Sequence, residues 1–250
     1  MCRVCLFPNF GIVCVPICLL GFWIIEITYA KTQSDYYGSY RYGWEGVLQE
    51  CLVNPEVEQV LIINRKEYPL QHPKLSQVVL PDILDIDSLG QDLSAYNACY
   101  FCAGVSSIGM DEQQYSKLTY DLTLNFAKKL VSINPDMTFC YVSGSGTDSS
   151  EKGKTMWARV KGKTENDLMK LPFKAVYNFR PAFMRPTPGA KNVKGIFKLI
   201  TSLYPILRPF SKTYFLTLEE VAKAMIVVSI HGYNKHILEV QDISFLGSKS

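Results

Sequence analysis

The sequence predicts an α/β fold organised around a mostly parallel, doubly wound sheet. From Glu45 onward, short apolar runs alternate with amphipathic helical segments at the spacing of βαβ units, which favours parallel strands. The apolar fraction of the 250 residues is 48%, enough to bury the core of one domain. We therefore expect one domain over residues 31–250, with a small substrate-side region from about residue 185.

The predicted elements follow one another without a repeat. Helices are predicted over EGVLQECLVN, DEQQYSKLTYDLTLNFAKKLVSI, MWARVKGKTENDLMKL and LTLEEVAKAMIVVSIHG. Strands are predicted over VEQVLIINR, SQVVLPDILD, AYNACYFCAGVSS, MTFCYVSGSG and FKAVYNFRPAF, followed by a last extended segment, HILEVQDISFL.

Charge and cysteine usage limit the partners and the compartment. The 26 basic residues barely exceed the 23 acidic ones, too little for a nucleic-acid-binding surface, so we expect no nucleic-acid partner. Half of the eight cysteines lie in apolar segments of the body, which indicates buried thiols in a reducing compartment, the cytoplasm. Cys99 and Cys102 have C-x-x-C spacing, but residues three apart in a strand point to opposite faces. Free thiols are therefore favoured over a metal or redox site.

Residues 1–30 do not fit the rest of the pattern. Residues 7–25 are almost entirely apolar, with no charge before Glu26, a length that suits a membrane span or the core of a signal peptide. A genuine span would place the protein at a membrane. A second apolar and lysine-rich stretch, from Lys191 to Phe210, suggests a substrate-side lid or a peripheral membrane contact, with a variable helical insertion as the alternative.

The strand expected before the helix at Glu45 is missing from the pattern, although a dinucleotide-binding βαβ unit opens with strand, glycine-rich turn and helix. The tyrosine-rich KTQSDYYGSYRYGWEG stands there instead, without strand-like alternation. Back-translated and read one nucleotide out of frame, residues 34–44 can encode VIITGATGMVG, an apolar strand running into a phosphate-binding G-x-x-G-x-x-G turn.

We therefore hypothesise that residues 1–44 are a frameshift product, that the intended protein starts near Tyr29, and that the first strand and glycine-rich loop are degraded or absent. On this hypothesis residues 1–28 are a translated leader, and their removal leaves the fold intact because no later segment requires a partner strand from them. The alternative is a genuine N-terminal anchor followed by a tyrosine-rich linker.

Short motifs follow the predicted strands of the body: Asn64-Arg65-Lys66, Phe101-Cys102-Ala103-Gly104-Val105, Tyr141-Val142-Ser143-Gly144-Ser145-Gly146 and Arg180-Pro181. From Glu45 to about Glu239 they resemble the atypical short-chain dehydrogenase/reductases, the NAD(P)-dependent epimerase/dehydratase-like group with a Rossmann fold. The resemblance implies an oxidoreductase or epimerase-like enzyme that acts on a small molecule.

The resemblance also implies how the cofactor is held. The basic residue Arg65 implies NADP(H) rather than NAD, because a guanidinium can pair with the 2′-phosphate; a solvated surface charge is the alternative. The other residues expected to lie at the cofactor are Asn64, Asp82 at the adenine amino group, Cys102, Ala103, Gly104, Lys161 and Arg180, with a structural role as the alternative for Arg180.

The implied catalytic groups are incomplete. The group uses a serine with Tyr-x-x-x-Lys, in which the lysine lowers the pKa of the tyrosine. Ser143 matches the serine, with Ser145 as a substitute, and Lys161 matches the lysine, but Trp157 replaces the tyrosine and cannot transfer a proton. The protein is therefore either an enzyme in which Tyr120 or ordered water supplies the proton, or a catalytically poor NADP(H)-binding or scaffold protein.

Overall fold

The computed structural model describes residues 22–28, 40–85, 87, 92–185 and 215–249. Its strands are β1 (Phe22–Thr28), β2 (Val57–Asn64), β3 (Leu75–Val79), β4 (Ala98–Phe101), β5 (Thr138–Val142), β6 (Ala175–Phe179), β7 (Phe183–Arg185), β8 (Phe215–Thr217) and β9 (Ile237–Leu238). Its helices are α1 (Tyr40–Val53), α2 (Glu112–Ser116), α3 (Leu122–Ile133), α4 (Met156–Leu168), α5 (Leu218–His231) and α6 (Val240–Gly247).

Seven strands form one sheet in the order β3-β2-β1-β4-β5-β6-β9, and every neighbouring pair is parallel. The strand order reverses between β1 and β4, which is the topological switch point at which open α/β sheets bind ligands. β7 and β8 form a separate two-stranded parallel sheet. The α/β class and the parallel sheet predicted from the sequence are confirmed.

The predicted absence of the first strand is wrong. β1 lies at the centre of the sheet, where Thr28 is in register with Asn64 of β2 and Ile27 with Phe101 of β4. The segment FWIIEIT supplies the aromatic and β-branched residues that a central strand favours. Later segments therefore do pair with the N-terminal apolar run, contrary to expectation.

This strand also changes the interpretation of the apolar run as a membrane span. Residues 22–25 belong to β1, whereas residues 1–21 and 29–39 lie outside the described residues. Among the residues that the structure describes, no helix is both long and apolar enough to cross a bilayer. The stretch from Lys191 to Phe210 also lies outside the described part of the chain.

The core has two layers, one on each face of the sheet. Alternate residues of β2 divide between them: Val60 and Ile62 face the layer containing α1, α5 and α6, and Leu61 and Ile63 face the layer of α3 and α4. The side chains of β4, β5 and β6 alternate between the same two layers. This alternation sets the face of the sheet on which the first side chain after each strand lies.

Helix boundaries follow local chemistry. Asp111 caps α2 by accepting from Gln114 N at 2.8 Å, and a π-helical turn, Lys117–Asp121, joins α2 to α3 into the one long helix predicted. α1 begins at Tyr40 rather than Glu45, so the end of the tyrosine-rich segment is helical. The last extended segment was also predicted wrongly: after the short β9, a capping box between Glu239 and Asp242 starts α6.

Candidate functional site

The parallel strands bring most of the predicted site residues to one edge of the sheet. Asn64 ends β2, Cys102 follows β4, Ser143 follows β5 and Arg180 follows β6. All of these strands run in the same direction, so their carboxyl ends share an edge. The following loops and the first turns of α4 complete the candidate site.

Ser143 is directed into the protein. It has no exposed surface, and its amide donates to the Phe179 carbonyl at 2.9 Å, which continues the pairing of β5 with β6. Its hydroxyl donates to Glu165 Oε1 at 2.5 Å. The hydroxyl that matches the family pattern is therefore bonded to a buried carboxylate and does not reach the surface of the site.

Glu165 and Arg180 form a buried ion pair beneath this edge. Arg180 Nε donates to Glu165 Oε1 at 3.0 Å, and Nη2 donates to Oε2. Arg180 also donates to Glu239 Oε1 at 3.0 Å and to Ser149 Oγ at 2.5 Å. Burial disfavours the charge, but the hydrogen bonds and negative charges of the two carboxylates outweigh it and raise the pKa of Arg180 above its ordinary value.

Lys161 lies one helical turn before Glu165 on the same side of α4. It is buried, and its ammonium group donates to the carbonyl oxygen of Ser143. The structure thus brings the predicted pair, Ser143 and Lys161, into direct contact. Their roles in catalysis stay a prediction.

The exposed hydroxyl at this edge belongs to Ser145. The chain turns tightly from Gly144 to Thr147, with positive φ angles of 146° at Gly144 and 86° at Gly146 that favour glycine. Ser145 stands exposed at the tip, and its amide donates to the Pro181 carbonyl at 2.9 Å. A Cβ added to Gly146 would lie 3.5 Å from the Trp157 ring. Among the described residues, the Ser145 hydroxyl makes no hydrogen bond, and its neighbour Gly146 lies against the ring that replaces the expected tyrosine.

Tyr120 is committed to another contact. Its hydroxyl donates to Asp167 Oδ2 at 2.7 Å, and this hydrogen bond is the main cause that raises the pKa of Tyr120 to about 12. Asp167 lies two residues beyond Glu165, on a different side of α4. The structure therefore gives no support to Tyr120 as the substitute for the missing tyrosine.

No protein-family model matches the sequence, and no curated protein matches it significantly. Solved structures do match. WbmF of Bordetella bronchiseptica in complex with NAD+ has a TM-score of 0.60 at 14% identity, over 92% of this chain and 78% of that one.

Two further structures have similar folds. The ADP-L-glycero-D-manno-heptose-6-epimerase of Helicobacter pylori has a TM-score of 0.57 at 15% identity, over 92% of this chain and 83% of that one. Uronate dehydrogenase of Agrobacterium tumefaciens has a TM-score of 0.56 at 11% identity, over 90% and 83%. The chain has the fold of the extended short-chain dehydrogenase/reductases. The predicted Rossmann-type architecture is thereby confirmed.

The extended short-chain dehydrogenase/reductase fold implies a nicotinamide dinucleotide at the switch point, and Asn64 provides a test of fit. Asn64 is 6% exposed, and its Oδ1 has no hydrogen-bond partner within the described residues. A buried acceptor without a donor is costly, and a ribose hydroxyl could satisfy it. Arg65 follows directly and is half-buried, as are the residues from Cys102 to Gly104 after β4. These residues fit the group.

Asp82 fits a bound nicotinamide dinucleotide less well. It is exposed, and its carboxylate accepts from the amide of Leu84 at 3.0 Å, a local turn bond. The predicted contact of Asp82 with adenine stays a prediction.

The three partners of Arg180 were not predicted from the sequence: Glu165, Glu239 and Ser149. One signal for Glu165 was available, since it lies four residues after Lys161 and therefore on the same helical face. Glu239 and Ser149 carry no comparable signal, because only the fold brings the start of α6 and the loop after β5 to the end of β6.

Proposed function

We propose that this protein binds NADP(H) at the carboxyl edge of its sheet and acts as an oxidoreductase or epimerase-like enzyme on a small-molecule substrate. The observation that carries the proposal is the buried, unpartnered Oδ1 of Asn64, located beside the reversal of strand order between β1 and β4. That acceptor lies where the ribose of a dinucleotide would supply a donor.

The choice of NADP(H) rests on Arg65. A basic residue directly after β2 can pair with a 2′-phosphate, and the next residue, Lys66, adds a second positive charge. NAD(H) is the competing cofactor, because WbmF was solved with NAD+ and with NADH.

The bound nicotinamide would supply hydride transfer to or from a substrate carbon. The exposed hydroxyl of Ser145 would donate a hydrogen bond to the substrate oxygen. Lys161, which donates to the Ser143 carbonyl, would add positive charge beneath the turn that carries Ser145. Arg180 would hold the loops around this turn. Trp157 would cover the substrate with its ring but exchange no proton, so the proton reaches the substrate oxygen from ordered water.

A second candidate function is a catalytically poor NADP(H)-binding or scaffold protein. The observation that favours it is Trp157, which occupies the first turn of α4 where a proton-transferring tyrosine is expected. The two functions differ in turnover. Hydride transfer with any carbonyl or alcohol substrate supports the enzyme, and cofactor binding without turnover supports the second function.

The proposed compartment is the cytoplasm. Cys51, Cys99, Cys102 and Cys140 are free thiols, and free buried thiols are typical of a reducing environment.

The cofactor assignment is tested in the frame-restored chain, which starts near Tyr29 and reads VIITGATGMVG at positions 34–44. NADPH and NADH are titrated calorimetrically into this parent chain and into its Arg65→Asp variant. We expect the parent to prefer NADPH and the variant to reverse the order. Lys128→Asp, which removes an exposed positive charge on α3, is the matched control. Unchanged relative affinities in Arg65→Asp would contradict the assignment to the 2′-phosphate.

A further inference from the structure

The loop that carries Ser145 is anchored at both ends. Before the turn, the Ser143 hydroxyl donates to Glu165 Oε1 at 2.5 Å. After the turn, Arg180 Nη2 donates to Ser149 Oγ at 2.5 Å. The exposed turn therefore lies between two side-chain anchors that both lead below the surface.

Both anchors end on the same ion pair. Glu165 Oε1 accepts from Ser143 and also from Arg180 Nε at 3.0 Å. The Glu165 side chain is 0% exposed and that of Arg180 10%, so water screens their attraction only weakly. A pair that is shielded and fully bonded resists displacement, because separating it would leave an uncompensated buried charge.

Backbone hydrogen bonds connect the turn to these anchors. Ser145 N donates to the Pro181 carbonyl, directly after Arg180, and Thr147 N donates to the Gly144 carbonyl at 3.2 Å. The Thr147 hydroxyl donates to the same carbonyl at 2.7 Å. Movement of Arg180 or Ser143 would therefore shift the hydroxyl of Ser145 and the Trp157 ring that packs at Gly146.

We propose that Glu165 and Arg180 are positioning residues that clamp the loop from Ser143 to Ser149 and thereby fix the Ser145 hydroxyl relative to Trp157. The use of this hydroxyl on a substrate rests on the proposed function. The clamp itself is a property of the chain without cofactor.

The test is hydrogen exchange of the Ser145 and Thr147 amides in the full chain without cofactor. Ser149→Ala removes one exposed anchor and leaves the ion pair in place. We expect roughly tenfold faster exchange at both amides, the effect of losing one hydrogen bond to a charged group. Ser149→Thr, which retains a hydroxyl, should restore the parent rates. Ser132→Ala, an exposed serine on α3 whose hydroxyl donates to a backbone carbonyl, is the control.

A spectroscopic measurement separates the clamp from general loosening. The chain has three tryptophans, and 5-fluorotryptophan gives each a fluorine resonance; Trp157→Phe identifies that of Trp157. Ser149→Ala should shift this resonance alone, and Glu165→Gln, if it folds, should shift it further. Parent-like exchange and an unmoved resonance in Ser149→Ala would overturn the clamp, as would equal acceleration in Ser132→Ala. NADPH affinity is measured in a separate experiment. If the chain does not bind NADPH, the exchange rates and the fluorine resonance still test the clamp.

Discussion

The two halves of the sheet's carboxyl edge are stabilised differently. On the β4 to β6 half, the loops are tied to buried side chains of the protein itself, through Ser143, Glu165 and Arg180. On the β1 to β3 half, Asn64 keeps a buried acceptor that no described residue satisfies. The loops of the β4 to β6 half, the substrate half, are thus held by internal bonds, although Asn178 of β6 also has buried amide atoms without partners among the described residues. On the β1 to β3 half, the cofactor half, the unsatisfied acceptor lies at the strand end where the dinucleotide is expected.

The parts of the chain before and after Glu45 also differ in how well sequence and fold agree. After Glu45 the helices and strands of the sheet follow from periodicity, except at the last predicted extended segment, most of which is α6. Before Glu45, the central strand comes from a run that also suits a membrane span. The tyrosine-rich segment after β1 carries no G-x-x-G-x-x-G spacing. Our frameshift hypothesis attributes the missing glycine spacing to the reading frame.

The largest effect is expected from deleting residues 1–28 of the chain as written. This removes β1, so β2 and β4 lose the parallel partner between them, and we expect loss of cooperative thermal unfolding by circular dichroism. The frame-restored chain that starts near Tyr29 should fold, because V-I-I-T would supply the strand. A folded truncation of the chain as written would show that β1 is dispensable.

The next largest effect is expected at Gly162 of α4. A Cβ there would lie 1.8 Å from the backbone oxygen of Asp148, and a backbone atom cannot move aside without displacing the loop. Gly162→Ala should lower the free energy of unfolding by more than about 3 kcal/mol, measured by urea denaturation.

Gly153→Ala is the matched control for this substitution. Its Cβ would meet only side-chain atoms of Asp148, the nearest at 2.8 Å, and a side chain can shift without moving the backbone of the loop. We expect a smaller loss of stability. Equal losses would mean that the contact between α4 and the loop after β5 does not limit the fold.

A third prediction concerns the cofactor half. The chain as written should bind NADPH at least about 100-fold more weakly than the frame-restored chain, because several hydrogen bonds to the pyrophosphate are missing together. Glycine-lined backbone amides and a helix N-terminus supply those bonds. Isothermal titration of both chains measures the difference. Comparable affinities would mean that the tyrosine-rich segment binds phosphate in its own way, and the frameshift hypothesis would be wrong.

The sequence predicted the architecture because its periodicity is local. The short apolar run of β2 and the acidic start of the long helix are visible in short windows, and they led to the correct class and strand direction. β1 was missed because its first four residues, 22–25, lie at the end of the longer apolar run, and only pairing with β2 and β4 distinguishes them.

The site was predicted less completely because its bonds join distant segments. Ser143 and Lys161 were found from a motif, but nothing in the motif shows that the Ser143 hydroxyl is buried while that of Ser145 is exposed. Glu165 lies in a helix rich in charge, where a glutamate is ordinarily solvated. Its burial depends on Arg180, which the fold brings from the end of β6.

The smallest effect is expected in the titration of Tyr120, which tests whether the substrate half holds a hidden proton donor. The hydrogen bond to Asp167 raises the pKa of Tyr120 from the ordinary value of 10.0 to about 12. Because this folded-state pKa exceeds the unfolded value, the stabilisation is fully present below pH 10.0 and is lost as the pH rises through about 12. A phenol tuned in this direction is a poorer acid near neutrality, opposite to the activated tyrosine of a Tyr-x-x-x-Lys motif. The difference in absorbance at 295 nm between the parent and Tyr120→Phe isolates this tyrosine from the others, with circular dichroism confirming that the chain stays folded. Asp167→Asn should bring the pKa of Tyr120 back toward its ordinary value. A Tyr120 that titrates below pH 10.0 in the parent would instead mark it as the replacement for the tyrosine absent at Trp157.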